Sequence, residues 1–324
     1  MPPPRRRGFG YYWPMCWLCN AKTTLSSSTA LGGEAAADDG QGSHRWSSRR
    51  GFLLASAASG AGAAAMSTGL GLLPSTAHAQ VDVGRASALR SLVPAGELEK
   101  AAGTQYHQML QEARQQNALA PEGHPQLRRL RAIAKRLIPH TTPWNDRARS
   151  WQWEVNLIGS KQINAFCMPG GKIAFYTGIL DQLQLNDDEA AMIMGHEMAH
   201  ALREHARERL AKTQATSLGL SLGAQLLGLG DLGNMAANLG TKLLSLKFSR
   251  DDETEADLVG LELAARSAFT PQASVNLWQK MTAANGGGQL AFLSTHPSGP
   301  DRIKELQANV PKVQALYEQA RRND

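Results

Sequence analysis

The residues with the clearest chemistry are His196-Glu197-Met198-Ala199-His200. On an α-helix, side chains four apart lie over one another on one face, so His196 and His200 can both reach a single metal ion. Glu197 adjoins that face. From there its carboxylate can hydrogen-bond a metal-bound water and take a proton from it, while zinc lowers the pKa of such a water to about 7. The chemistry indicated is metal-assisted hydrolysis.

So short a pattern needs a supporting context. Leu185-Asn186-Asp187-Asp188-Glu189 offers an N-cap and first-turn acids, and Ala190, Ala191, Met192, Ile193 and Met194 continue as helix formers. This predicts a helix from about Asp187 to about Arg209. Arg203, Glu204, Arg207 and Glu208 give its later part a charged surface, on which histidines would need no metal. The motif itself lies in an apolar run, where unpaired imidazoles are costly to bury.

A catalytic zinc keeps three protein ligands and leaves a position for water. Glu253 is the candidate third ligand, in Ser249-Arg250-Asp251-Asp252-Glu253-Thr254-Glu255-Ala256-Asp257, followed by apolar residues at helical spacing. Asp257 shares its face and could accept a hydrogen bond from the free ring nitrogen of a histidine ligand. The competing reading is an acidic helix start that favours the macrodipole. On composition the two are balanced.

Four segments in order, over roughly residues 151–306, carry a family resemblance. They are Asn164-Ala165-Phe166-Cys167-Met168-Pro169-Gly170-Gly171-Lys172-Ile173, the His-Glu-x-x-His helix, Ser249-Arg250-x-x-Glu253-x-Glu255-Ala256-Asp257, and Thr295-His296-Pro297 with Arg302. The chain resembles the zinc metallopeptidase family of the CAAX prenyl protease and the HtpX-like proteases, in its soluble periplasmic, BepA/LoiP-like branch. The resemblance implies one zinc ion per chain, with His196, His200 and Glu253 as ligands and Asp257 as the outer partner. Glu255, two residues along the helix from Glu253, would point elsewhere. The resemblance also makes His296 and Arg302 active-site residues able to donate hydrogen bonds to the oxyanion of a tetrahedral intermediate. Alternatively His296 takes the fourth position on zinc and closes the site, as family relatives of the BepA type are thought to do.

Residues 153–158 and 162–166 read as strands, with Pro169-Gly170-Gly171 breaking and Lys172-Ile173-Ala174-Phe175 resuming. A sheet edge there could hold a substrate as an added strand, with little regard to its sequence. By resemblance, Asn164 and Ala165 are the substrate-binding candidates. A simple core hairpin is the other reading, compatible with the first. Between the metal-binding segments, residues 213–248 are rich in Gly, Leu and Ala and too Gly-broken for a transmembrane span. A packed helical hairpin is expected, with a lid over the cleft or a peripheral membrane contact as alternatives.

The formal net charge of +6 overstates the basicity of the folded part. Residues 1–79 hold seven of the 34 Lys and Arg and three of the 28 Asp and Glu, leaving 27 against 25, a net of +2. Arg128-Arg129-Leu130-Arg131 with Lys135-Arg136 reads as a solvated helix face, so nucleic-acid binding is not expected. Ser47-Ser48-Arg49-Arg50-Gly51-Phe52-Leu53-Leu54, an Ala/Gly-rich stretch, and Ala77-His78-Ala79 resemble a twin-arginine export signal with its cleavage site. The expected location is periplasmic, with membrane association through an uncut leader as the alternative. Beyond residue 79 only Cys167 remains, which excludes a disulfide framework.

The expectation is therefore a leader over residues 1–79 and one α+β domain over residues 80–324. That domain is mainly helical and of zincin, gluzincin type, with a small antiparallel sheet beside the metal-binding helix. N-terminal helices are expected over roughly Ala86–Arg114 and Pro125–Leu137. The expected reaction is endopeptidase cleavage of polypeptides, by resemblance misfolded or misassembled envelope proteins. Two rivals are a chaperone-like assembly factor whose zinc is closed off by His296 and a binding module with structural zinc. An intact Glu197 argues against both, because a structural site has no use for a base beside its metal.

Overall fold

The computed structural model describes residues 81–221, 243–244, 246–287, 290–297, 299 and 301–323. The leader expected over residues 1–79 and most of the hairpin expected over residues 213–248 fall outside these.

Two helices enter first, α1 (Ala95–Gln115) and α2 (Pro125–Leu137). The single helix expected from Ala86 does not form. Pro94 disfavours helical backbone at the residue before it, Val93 is extended, and the chain ahead makes only a short 3-10 turn over Ala88–Leu92. The second helix has the expected bounds. Its arginines are not merely solvated: Arg129 pairs with Asp187 and donates to the Leu185 carbonyl, and Arg131 pairs with Glu122 and donates to the carbonyl of Val155.

Three strands follow: β1 (Glu154–Ile158), β2 (Ala165–Met168) and β3 (Lys172–Tyr176). The expected antiparallel sheet is instead mixed, in the order β1-β3-β2. The Pro169-Gly170-Gly171 turn folds β3 back against β2 antiparallel, pairing Ala165 with Phe175 and Met168 with Lys172. Gly170 and Gly171 both take left-handed backbone there, with φ of 85° and 77°. β3 thereby enters the middle and meets β1 in parallel, Val155 opposite Ile173. Ile173, Ala174 and Phe175 are fully buried, as suits a strand covered on both faces. No described strand pairs with the outer edge of β2.

After the short α3 (Thr177–Gln182) come α4 (Asp187–Leu202) and α5 (His205–Ser221). Asn186 and Glu189 form a capping box at the start of α4, each side chain bonding the other's backbone N–H. Every residue from Glu189 to Leu202 is buried, so α4 is a central helix without a solvent face. The helix expected to reach Arg209 ends at Leu202 and breaks at Glu204, whose φ is 59°, before α5 starts at His205.

The chain returns in α6 (Arg250–Arg266), capped by Ser249 with Asp252, then α7 (Ala273–Ala284), the short α8 (Ala291–Thr295) and α9 (Arg302–Asn323). α4 packs on α6, with β2, α2 and α7 around it. The two helices touch backbone to backbone. A Cβ on Gly260 would stand 2.6 Å from the His196 nitrogen, and one on Gly195 would stand 2.9 Å from the Gly260 oxygen. No described helix is long and apolar enough to cross a membrane.

Gly260→Ala must therefore force the helices apart beside His196. A loss of about 1–3 kcal/mol is expected, the cost of overpacking a filled core. Gly103→Ala, whose Cβ would meet nothing within 4 Å on α1, should be neutral or stabilising. Chemical denaturation of the two variants beside the parent checks this.

Candidate metal centre

α4 and α6 bring four ligand-type side chains to one point. Donor atoms of His196, His200, Glu253 and His296 all lie within 4.8 Å of one another, and all four residues are buried. Nε2 of His200 is 3.1 Å from Nε2 of His196 and 3.3 Å from Oε1 of Glu253. Nε2 of His196 is 3.5 Å from Oε2 of Glu253. A tetrahedral ion with bonds of about 2.0–2.1 Å holds its ligand atoms about 3.3 Å apart, so this donor set fits a zinc-sized ion. Glu197, 2 % exposed, supports the fit: its Oε1 has no hydrogen-bond partner, a costly state for a buried carboxylate unless something occupies the space it faces.

The protonation states suit ligation. Burial holds the His200 imidazole well below its usual pKa, so the ring is neutral. For Glu253 burial acts upward, but the imidazoles of His200, His296 and His196 around it outweigh that and keep the carboxyl ionised. Burial raises Glu197 above the usual carboxylate range, only partly offset by His296 and His196. A carboxyl raised in this way suits general acid–base work.

Asp257 accepts from Nδ1 of His196 at 3.0 Å, leaving Nε2 to face the centre. Arg302 lies behind the carboxylates. Its guanidinium donates to Glu253 Oε2 at 2.9 Å and to both oxygens of Asp257, and it sits 3.4 Å over the Trp278 ring. Burial pushes Asp257 upward, yet the Arg302 charge and the His196 hydrogen bond hold its carboxyl below the usual value.

His296, at the end of α8, has Nδ1 3.0 Å from Glu253 Oε1 and 3.3 Å from His196 Nε2, with Nε2 3.6 Å from Glu197 Oε1. Burial lowers its pKa, but the charges of Glu197 and Glu253 win and raise it. Phe292 stacks on its ring and Phe248 on that of His200.

An open cleft lies beside the centre, lined by Glu197, His200 and His296 and by Asn164–Pro169 along β2. Asn164 and Ala165 lie here, the carbonyl of Asn164 already accepting from the Tyr176 N–H. Leu243, Leu244 and Phe248 give the cleft apolar walls. Cys167 faces it too, with burial raising its thiol pKa well above normal, which makes it unreactive.

The sequence reading missed His205, and with it the side of the centre where Glu255 points. Five residues after His200, His205 has no helical reason to lie beside it, and nothing in the local pattern marks the left-handed Glu204 that brings it there.

Comparison with known proteins agrees with this geometry: the model for peptidase family M48 matches residues 122–310. The chain belongs to peptidase family M48. It is 37% identical over 203 residues to the mitochondrial metalloendopeptidase OMA1 of Schizosaccharomyces pombe, covering 62% of this chain and 58% of that one. It is 36% identical over 178 residues to the Saccharomyces cerevisiae protein of that name, covering 52% and 50%. With the metalloprotease LoiP of Escherichia coli it shares 27% over 201 residues, covering 61% and 76%. The chain thus spans between half and three-fifths of the length of the two yeast relatives.

These relatives do not single out the periplasmic branch, and they correct the expected location. The two yeast proteins are mitochondrial by name, which overturns the periplasmic, twin-arginine-exported reading. Paired arginines before an Ala-rich stretch are weak evidence of destination, because Arg-rich, Ser-rich, acid-poor leaders also address mitochondria.

One equivalent of zinc per chain is expected in the purified protein. Glu253→Ala should lose it, and Asp257→Asn should weaken it by about 10–100-fold, as loss of an outer partner does elsewhere. Elemental analysis with chelator competition measures both.

Proposed function

We propose that this chain is a zinc-dependent endopeptidase of the gluzincin type that cleaves extended or unfolded polypeptide, with Glu197 as general base. The observation that carries the reading is Glu197 Oε1, buried and without a hydrogen bond, beside the donor cluster and at the wall of the cleft. His196, His200 and Glu253 would hold the ion. Zinc bound there would supply a water of pKa about 7 and a Lewis acid for the scissile carbonyl.

The chain's own groups do the rest. The substrate lies along the β2 edge at Asn164 and Ala165 as an added strand, held by main-chain hydrogen bonds. Glu197 takes the proton of the attacking water and returns it to the leaving amine nitrogen. His296, with Nε2 on the Glu197 side of the centre, donates to the oxyanion. Arg302 fixes the carboxylates of Glu253 and Asp257, and its place behind them suits that task. The envelope address of the substrates falls with the periplasmic location, and the strand-like groove supports only an extended chain.

A second reading rests on His296 Nδ1, as near the donor atoms of Glu253 and His196 as these ligands are to one another. In it, His296 is a fourth ligand that latches the site, and the protein is latent or acts as an assembly factor. His296→Ala separates the two: casein cleavage rises if His296 is a latch and falls if it serves the transition state. Under either reading Glu197→Gln should lower cleavage by about 100-fold or more at unchanged zinc content. A variant that still cleaves at the parent rate would remove Glu197 from the mechanism.

The pH profile follows from the direction of the Glu197 shift. A general base must be ionised, so kcat/KM should fall as pH drops through the Glu197 pKa. Because burial raises that pKa, the acid limb should lie above the usual carboxylate value of about 4.3. Initial rates of cleavage across pH 4 to 8 test this.

A further inference from the structure

His196 has its outer partner in Asp257, and the matching position beside His200 is filled by residues with no role so far. Nδ1 of His200 lies 2.9 Å from Nδ1 of His205. Nε2 of His205 lies 3.3 Å from Oε2 of Glu255, and the same oxygen accepts from Nε of Arg203 at 2.8 Å. Nη2 of Arg203 then reaches the carbonyl of Gly84 at 3.0 Å. Both histidines are buried, at 3 % and 2 % exposure, which keeps water from replacing these contacts.

Only one proton arrangement lets His200 serve as a ligand through Nε2. Its proton must sit on Nδ1 and be donated to a bare Nδ1 of His205. His205 then carries its own proton on Nε2 and donates it to Glu255. Each hydrogen bond in the row has one donor and one acceptor, and Arg203 balances the charge at its outer end.

We propose that His205, Glu255 and Arg203 form a positioning relay that fixes the tautomer and ring orientation of His200 for metal binding. The relay accounts for the break between α4 and α5. On a continuous helix residue 204, not 205, would lie over His200. The left-handed turn at Glu204, uncommon for a residue with a Cβ, turns His205 back onto it. The relay also gives α6 a division of labour. Glu253 and Asp257 share one face and meet the centre and His196, while Glu255 emerges on the other side and reaches His200 through His205.

The proposal rests on the metal-site reading above, and its test separates the two. Co²⁺ affinity would be measured by chelator competition on the full chain, with the visible spectrum of the bound ion recorded, for the parent and four variants. His205→Phe keeps a ring but removes the acceptor, and should weaken Co²⁺ binding about 10–100-fold and shift the absorption bands. His205→Asn sets an oxygen near the place of Nδ1 and should recover most of the loss. Glu255→Leu should weaken binding and Glu255→Gln, which still accepts, should weaken it less. At 26% side-chain exposure Glu255 is the safer position for folding should His205→Phe fail to fold.

Parent-like Co²⁺ binding by His205→Phe, or by Glu255→Leu, would overturn the relay and leave the metal site standing. Equal losses in His205→Asn and His205→Phe would overturn it as well, because bulk rather than the acceptor would then matter. A parent chain that binds no Co²⁺ would sink the metal reading and the relay with it.

Discussion

The contact on which the site depends is the crossing of α4 and α6 at Gly195 and Gly260, where no side chain stands between the backbones. It brings the N-terminal half of α6 within reach of the two histidines on α4. A short carboxylate on one helix can then share an ion with imidazoles on the other. The crossing also explains why α4 must be apolar outside its functional residues: a helix held this tightly, with the sheet on one flank and α2 and α7 on others, has no face left for water.

Burial on this scale would be ruinous for so many ionisable groups without mutual compensation. Glu253, Asp257, Arg302 and the histidines form a network in which carboxylates meet donors and each imidazole has a place for its proton. A half-satisfied network in a low dielectric is worse than an apolar core. Glu197 is the exception: its Oε1, at the wall of the cleft, accepts no hydrogen bond.

Much of this was legible in the chain wherever the information is local. The four-residue spacings of His196 with His200 and of Glu253 with Asp257, and the caps at Asn186 and Ser249, are helical facts that a one-dimensional reading can use. What could not be read is what depends on distant partners. The parallel pairing of β1 with β3 arises because a hairpin inserts β3 between strands that come earlier, and a strand's own pattern does not name its neighbour. Pro94 was visible, yet the helix expected from Ala86 was carried through it. His205 lay hidden because one residue in left-handed backbone undoes the helical count.

The centre is assembled from the chain in a particular order. The histidine pair and Glu253 precede His296 and Arg302, and the contacts of these last two with His196 span 100 and 106 residues. A polypeptide emerging from the ribosome as far as the end of α6 holds the three expected ligands but leaves Asp257 without its guanidinium and the centre without its last imidazole. Completion of the centre is thereby tied to synthesis of α9, so a chain that stops short of it lacks the full set of groups.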